Sequence, residues 1–323
     1  MAENAGVLTN KQLKKQQKKE RREALHRAAK NQKILLILSV PFFVYGFIFC
    51  YLPLIGWIMG FEKFKARDGL FGSKFVGLDV FKQLFADPAF WLTVRNTLAM
   101  SILNLVLSTV VAIVFAILLN EVRCLPGKKF VQTVSYLPHF LSWVVACGIL
   151  LDTLGSTGIV NDVLMKLGVV SSPINFFAQP TWFWWIEAFS LVWKETGWNA
   201  IIYLAAIVSI DPSLYEAVAI DGGGRWARIK YVTLPGIANT IIILLIMNIG
   251  NVLNAGFEVQ YLLGNDVVRD FSQTIDIYVL KWGISQNNFS LGTAAGIFKS
   301  VVSIILIVIA NQIAKRTSDT RLF

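Results

Sequence analysis

Charge is scarce in this chain. Asp, Glu, Lys and Arg make up 15% of its 323 residues, against about 25% in an ordinary soluble domain. With 55% hydrophobic residues and a mean hydropathy of +0.59, the composition is that of a membrane protein. Cysteine is scarce too. Cys50, Cys124 and Cys147 form no CxxC pair and are odd in number, so neither a disulfide framework nor a zinc site is legible. The two histidines, His26 in a basic tail and His139 inside an apolar run, exclude an HExxH-type metal helix and read as satisfied or solvated side chains. A nucleotide-cradling GxxxxGK[ST] loop is missing: the triplet Gly222 to Gly224 is followed by Arg225 and Trp226 and lacks the lysine and hydroxyl that hold phosphates. No nucleophile elbow, kinase signature or metal-ligand cluster appears, and no repeat relates the two halves as in many secondary transporters.

Long apolar runs are what the chain has. They fall at about 34–59, 93–119, 131–154, 181–210, 237–263 and 291–313, each long enough for a hydrocarbon core of roughly 30 Å at about 1.5 Å per helical residue. The expectation is an all-α polytopic membrane protein with six transmembrane helices. Pro41 and Pro53 should kink or end the first span, and Pro138 interrupts the third. The intervening loops hold 33, 11, 26, 26 and 27 residues, too few for a separate soluble domain. The expected division is a basic tail over 1–32, one membrane domain over 33–314 and a short tail over 315–323.

Orientation follows from Lys and Arg. The first 33 residues carry seven Lys and three Arg against Glu3, Glu20 and Glu23. Directly before an apolar run, such a stretch fixes orientation and meets anionic lipid rather than nucleic acid, and both it and the run are too long for a signal peptide. With a cytoplasmic amino terminus, the inside segments hold 19 positive residues and the outside loops eight. Both termini, and the loop between spans four and five, are then expected in the cytoplasm.

That fourth loop, 211–235, is the most informative stretch. Asp211 is a good N-cap with Pro212 at the first helical position, Gly222 to Gly224 stop the helix, and Pro235 ends a second short helix beyond them. Glu216-Ala217-Val218, then Gly222, then Val232 and Leu234-Pro235 stand at the spacing of the EAA loop, and the chain resembles the permeases of binding-protein-dependent ABC importers. Val218 and Val232 replace the family's Ala and Ile, both apolar for apolar. The resemblance covers nearly the whole chain from about Gln32. The run Trp193 to Asn199, Gly256-Phe257-Glu258 and Gly296 to Ser300 look like the subgroup serving complex polysaccharide or oligosaccharide uptake in Gram-positive bacteria.

The resemblance implies a type I ABC importer permease fold and a non-catalytic transport subunit in the bacterial plasma membrane. It implies a second permease as heterodimer partner, a cytoplasmic ATPase dimer supplying ATP and Mg chemistry, an extracellular solute-binding protein and a carbohydrate substrate, with no cofactor on the chain itself. Its ATPase-coupling residues would be Glu216, Ala217, Val218, Asp221, Gly222, Leu234 and Pro235. The other reading of the chain is an ion-coupled secondary transporter or channel that uses its intramembrane Lys and Glu.

Those charges are Glu187, Lys194 and Glu195 in span four, Glu258 in span five and Lys299 in span six. Each costs about 2.5–3.5 kcal/mol at the bilayer centre on insertion scales, so they should face a bundle interior or a water-filled path. Lys194 and Glu195, about 100° apart on a helix, should each seek a partner elsewhere, with Lys299 and Glu258 as candidates. The charges either cross-link spans or line a substrate path. The path residues are Trp193, Lys194, Glu195, Trp198, Asn199, Asn251, Asn254, Glu258 and Lys299. Amides suit a polyhydroxylated ligand but also glue helices together in lipid. Trp182, Trp184 and Trp185 fit an interfacial belt, while Trp193 and Trp198 lie deeper.

Overall fold

The computed structural model describes Lys19 and residues 32–317. The rest of the basic tail, with His26, and the last six residues lie outside the described residues. Two compact units form, the first ending at Ile58 and the second beginning at Met59. The first contains α1, Lys33–Gly46, which passes through a π turn at Phe47–Tyr51 into a tighter 3-10 stretch, Leu52–Phe61. Pro41 lies inside α1 and Pro53 at the start of the tight stretch, where changes of pitch re-satisfy the groups that proline frees.

The second unit opens on a small hairpin pairing Glu62–Lys63 with Lys74–Phe75, followed by α2, Asp79–Ala86. Helix α3, Pro88–Glu121, is 34 residues long and starts five residues before the expected position, because the Asp87 side chain accepts from the Ala89 N–H and Pro88 takes the first turn. Then come α4, Leu125–Tyr136, α5, Trp143–Leu154, α6, Ile159–Lys166, and α7, Phe183–Val208. Next are α8, Pro212–Ile220, α9, Arg225–Arg228, α10, Ala238–Gly250, α11, Glu258–Leu263, α12, Ile275–Tyr278, and α13, Phe289–Thr317.

Among the described residues, four stretches are long and apolar enough to cross a membrane singly: Lys33–Phe61, Pro88–Glu121, Trp143–Lys166 and Phe289–Lys315. Two bent pairs bring the number to six if each is one span: Pro180–Val208 with Pro212–Ile220, bent 70°, and Arg225–Gly236 with Ala238–Gly250, bent 54°.

Two expected spans are redrawn. The third, expected over Val131–Leu154, breaks into α4, a 3-10 turn at Leu137–Phe140 and α5. Pro138 supplies no N–H, Leu141 and Ser142 are extended, and the Ser142 hydroxyl starts α5 by accepting from the Val145 N–H. The fifth, expected over Ile237–Leu263, stops at Gly250 and resumes at Glu258. Asn251 turns its amide back on the Met247 carbonyl at 3.3 Å, Asn254 binds Asn251 at 3.2 Å, and Gly256 takes a φ of 87°. Asparagine competes with the backbone for hydrogen bonds, and only glycine enters that φ freely.

Helix α3 packs along α7 through small residues. Ala112 and Ala116 on one side and Ala200 on the other are fully buried with Tyr203, Ile207 and Ile237. Lipid removes most of the hydrophobic drive between helices, so close backbone approach and polar contacts hold them. Gly197 is the clearest case: a Cβ there would lie 2.1 Å from the Ser135 carbonyl oxygen, so only glycine lets α4 lie on α7. At the end of the bundle away from α8, Asn96 donates to the Asp270 and Gln273 carbonyls at 3.0 and 2.9 Å. Arg95 donates to the Asp270 carbonyl at 2.7 Å and lies over the Trp184 and Phe271 rings.

Candidate functional site

Helix α8 projects from the end of α7. The Asp211 side chain accepts from the Ser213 N–H at 2.9 Å, and that bond holds its carboxyl below the usual carboxylate range. At the other end the Gly223 N–H meets the Val218 carbonyl at 2.8 Å and the Gly222 N–H the Ala219 carbonyl at 3.1 Å. These two bonds are a Schellman closure, with Gly222 at φ 77°. A Cβ on Gly223 would stand 2.5 Å from the Val218 side chain and 2.9 Å from its carbonyl oxygen, so the turn requires both glycines.

Tyr215 and Val218 turn toward the body of the chain, and the Tyr215 hydroxyl reaches Thr233 Oγ1 at 3.1 Å. That bond ties α8 to the segment leading to Leu234 and Pro235 at the start of a short turn, Leu234–Gly236. Glu216, Ala217 and Asp221 are exposed, as are Leu214, Ile220 and Trp226, the last two at 86% and 80%. The short helix is thus held to the body along one side by Tyr215 and leaves apolar side chains exposed on the other. Leu214 and Ala219 point outward, while Tyr215 and Val218 are half-buried.

Inside the bundle a cleft of about 310 Å³ opens between α3, α7 and the Asn251–Phe257 break. Glu195, Asn199, Asn251 and Asn254 of the expected path line it, together with Ser101, Asn104, Ser108, Thr109 and Asn248. Asn199 Nδ2 donates to Ser108 Oγ at 3.1 Å. The same Ser108, Thr109, Asn199 and Asn248 line a further cavity of about 160 Å³ that runs toward Tyr203 and Leu244, in the direction of α8. Hydroxyls and amides with both donor and acceptor character alternate with apolar side chains such as Leu105, Leu191 and Val252 on these walls, a mixture that suits the hydroxyls and C–H faces of a sugar.

Lys194 and Glu195 do meet, contrary to the expectation from their angular spacing. Lys194 Nζ lies 3.1 Å from Glu195 Oε1 and donates to the His139 carbonyl at 2.8 Å. The long lysine stem bends along the helix and over the Trp143 ring, 5.1 Å away. His139 closes the group: its Nδ1 is 2.7 Å from Glu195 Oε2 and its ring stacks on Trp198. Lys299 pairs instead with Asp276 at 2.5 Å, outside the cleft lining. Trp193 faces an apolar groove between α5 and α7, and Glu258 is exposed at the start of α11. Trp184 donates its indole N–H to the Phe271 carbonyl at 2.9 Å, while Trp182 and Trp185 are exposed.

Glu187 is buried at 1% exposure by partners that sequence reasoning missed. Asn104 Nδ2 and Gln260 Nε2 both donate to its Oε1, at 3.0 and 3.1 Å, and Gln260 also donates to the Ala255 carbonyl at 2.6 Å. Gln260 thus pins the broken segment that carries Asn251 and Asn254 to α7. The signal for it was a lone glutamine two residues after Glu258 in an apolar run. His139, placed at the proline break, was legible only as a polar residue where none belongs. Among the described residues no group of His, Cys, Asp and Glu fit to hold a metal occurs.

Residues 108–319 match the family described as binding-protein-dependent transport system inner membrane component. The chain is 40% identical over 95% of its length, and 95% of the relative's, to the polygalacturonan/rhamnogalacturonan transport system permease protein YteP of Bacillus subtilis (strain 168). It is 41% identical to Protein LplB of the same organism, over 92% and 93% of the two chains. Among solved structures, a chain of a bacterial alginate ABC transporter, in complex with a periplasmic protein bound to alginate pentasaccharide, superposes with a TM-score of 0.84 at 36% identity. It covers 92% of this chain and 99% of that one. An exposed, glycine-closed helix at the foot of α7, a polar cleft above it and matches over nearly the full length of two relatives agree: the chain belongs to the binding-protein-dependent transport system inner membrane components, as a permease subunit of an ABC transporter.

Proposed function

We propose that the chain forms one half of the translocation path of an oligosaccharide importer, pairing with a second, different permease. Helix α8, with Glu216 and Ala217 outward and the turn at Gly222, docks on one subunit of a cytoplasmic ATPase dimer that binds ATP and Mg. A solute-binding protein delivers the sugar from outside, and both termini of the chain lie in the cytoplasm. The observation that carries this reading is the cleft itself. Amides and hydroxyls of α3, α7 and the Asn251–Phe257 break line it, and it continues through shared residues toward α8. Relatives named for polygalacturonan/rhamnogalacturonan transport and a neighbour named for alginate support a sugar polymer fragment as the substrate.

The coupling step needs a stiff element. The 70° bend between α7 and α8, fixed by the Asp211 cap and the Tyr215 bond to Thr233, lets a displacement of the partner act on α7 rather than on a loop. Pull-down of the tagged chain from solubilised membranes, followed by ATP hydrolysis and uptake of labelled oligogalacturonide in proteoliposomes, tests the proposal. Recovery of an ATPase and a second permease, with uptake that needs ATP and is lost in Gly222→Trp, is the expected result. Uptake driven by an ion gradient without ATP would replace it with the secondary-transporter reading.

A further inference from the structure

A second polar cleft, of about 390 Å³, lies on the far side of α11 from the first and is reached from the end of the bundle away from α8. Its position follows from its neighbours, since Ser272 and Gln273 in its lining sit next to the carbonyls pinned by Arg95 and Asn96 at the start of α3. Gln260 forms part of the lining. A side chain added at Gly256, in the lining of the inner cleft, would meet Gln260 Oε1 at 3.5 Å. Gln260 thus lines the outer cleft while its amide bonds the Ala255 carbonyl in the lining of the inner one.

The chemistry of the outer cleft differs from that of the inner. Tyr261 presents a ring that is 58% exposed and stacked on Phe257, with centroids 5.2 Å apart and planes 20° apart. Two cations, Arg269 and Lys281, stand in the lining with one carboxylate, Asp266. Arg269 and Asp266 are paired with each other. Among the described residues no carboxylate lies within ion-pair distance of Lys281, so the cleft carries an uncompensated positive charge. Gln273 adds an amide residue to the lining, and the buried Gln260 Oε1, on the side of Gly256, has no hydrogen-bond partner. The inner cleft has Glu195 in its lining and no Lys or Arg.

We infer that the outer cleft is a receiving subsite for an acidic oligosaccharide, holding a uronate carboxylate on Lys281 with a sugar face on Tyr261, before Gln260 moves aside and the chain enters the inner cleft. This rests on the oligosaccharide reading above and gives that substrate a charge. An anionic lipid headgroup shares the carboxylate's charge. The flat ring and the amide favour the saccharide, because sugar C–H faces pack on aromatic rings and hydroxyls bond amides.

The test uses the full importer with its partner subunits in nanodiscs of zwitterionic lipid, titrated with trigalacturonate and with the neutral galactose trimer while binding is read by ligand-observed NMR. Wild type is expected to bind the uronate trimer about fivefold more tightly than the neutral one, the contribution of a partly exposed ion pair. Lys281→Met removes that preference. Tyr261→Ala weakens both trimers by a similar factor, and Tyr261→Phe restores them. Equal binding of the two trimers by wild type, or an unchanged preference in Lys281→Met, overturns the inference. So does loss of the uronate preference on adding anionic lipid, which assigns Lys281 to the headgroup. If the trimers fail to bind here while the importer still takes up oligosaccharide with ATP, the subsite is refuted and the permease function stands. If ATP-driven oligosaccharide uptake is itself absent, the function falls with it.

Discussion

The imidazole of His139 lies parallel on the indole of Trp198, with centroids 4.3 Å apart and planes 3° apart, while its Nδ1 reaches Glu195 at 2.7 Å. One side chain from the break before α5 thus fixes both the aromatic and the acidic residue of α7 at this level. Hydrogen bonds to charged groups contribute about 1.5–3 kcal/mol and ring stacking about 0.5–1.5 kcal/mol, so the bond to Glu195 should dominate. His139→Gln is expected to keep uptake within about threefold of wild type, and His139→Phe to lose about tenfold. Initial uptake rates in proteoliposomes decide it. A His139→Phe variant as active as wild type would show that the stack alone matters.

The three glycines of 222–224 should separate cleanly. Gly223→Val places atoms against the Val218 carbonyl and opens the helix stop, and Gly222→Ala pushes a side chain into a left-handed φ at about 1–2 kcal/mol. Nothing lies within 4 Å of a Cβ at Gly224, whose φ is −79°, so Gly224→Ala is the neutral control. Sugar imported per ATP hydrolysed is the quantity to measure. It is expected to fall at least about fivefold in Gly223→Val, with Gly222→Ala between that variant and the control, because cap loss costs about 1 kcal/mol or more before any steric term.

Gln260→Leu withdraws donors from Glu187 and from the Ala255 carbonyl together. Leaving buried acceptors unmade costs about 1–3 kcal/mol each, so the melting temperature of the detergent-solubilised chain should drop and half-saturation by sugar should rise. Gln260→Glu should be worse, because it sets two carboxyls against each other. Equal melting of wild type and Gln260→Leu would show that the pin is not holding the broken segment.

Lys299 and Asn199 test the choice between cross-link and path. Lys299→Met leaves Asp276 partly buried without its cation, a loss of about 1–3 kcal/mol, and should lower the melting temperature with half-saturation unchanged. Asn199→Ala removes an amide from the cleft wall and should raise half-saturation about threefold or more with little change in melting. If the two variants exchange these effects, their assignment is reversed.

Most of the membrane architecture was legible because twenty-residue apolar runs have few other uses, and the α8 loop because capping, glycine stop and proline stand at fixed spacing. What escaped was decided between elements. The break after Gly250 depends on asparagines that read equally well as helix interior or as turn formers. Lys194 was assigned to distant partners because angular spacing describes Cβ directions, and a four-carbon stem can cross that angle. Asp276 is not legible as the partner of Lys299, since it lies between the fifth and sixth apolar runs and not within either. The role of His139 is hidden because a lone histidine in an apolar run has no local signature of a partner fifty-six residues away.

The contact between Gly197 and the Ser135 carbonyl has a mechanical meaning. With no side chain between them, α4 and α7 form a linkage without backlash. The turn holding His139 follows α4 directly, and α8 follows α7 through its bend. If α8 moves as the proposed coupling requires, α7 and α4 would carry that movement together toward the ring pair beside the cleft. A spacer at position 197 would turn that crank into a loose hinge.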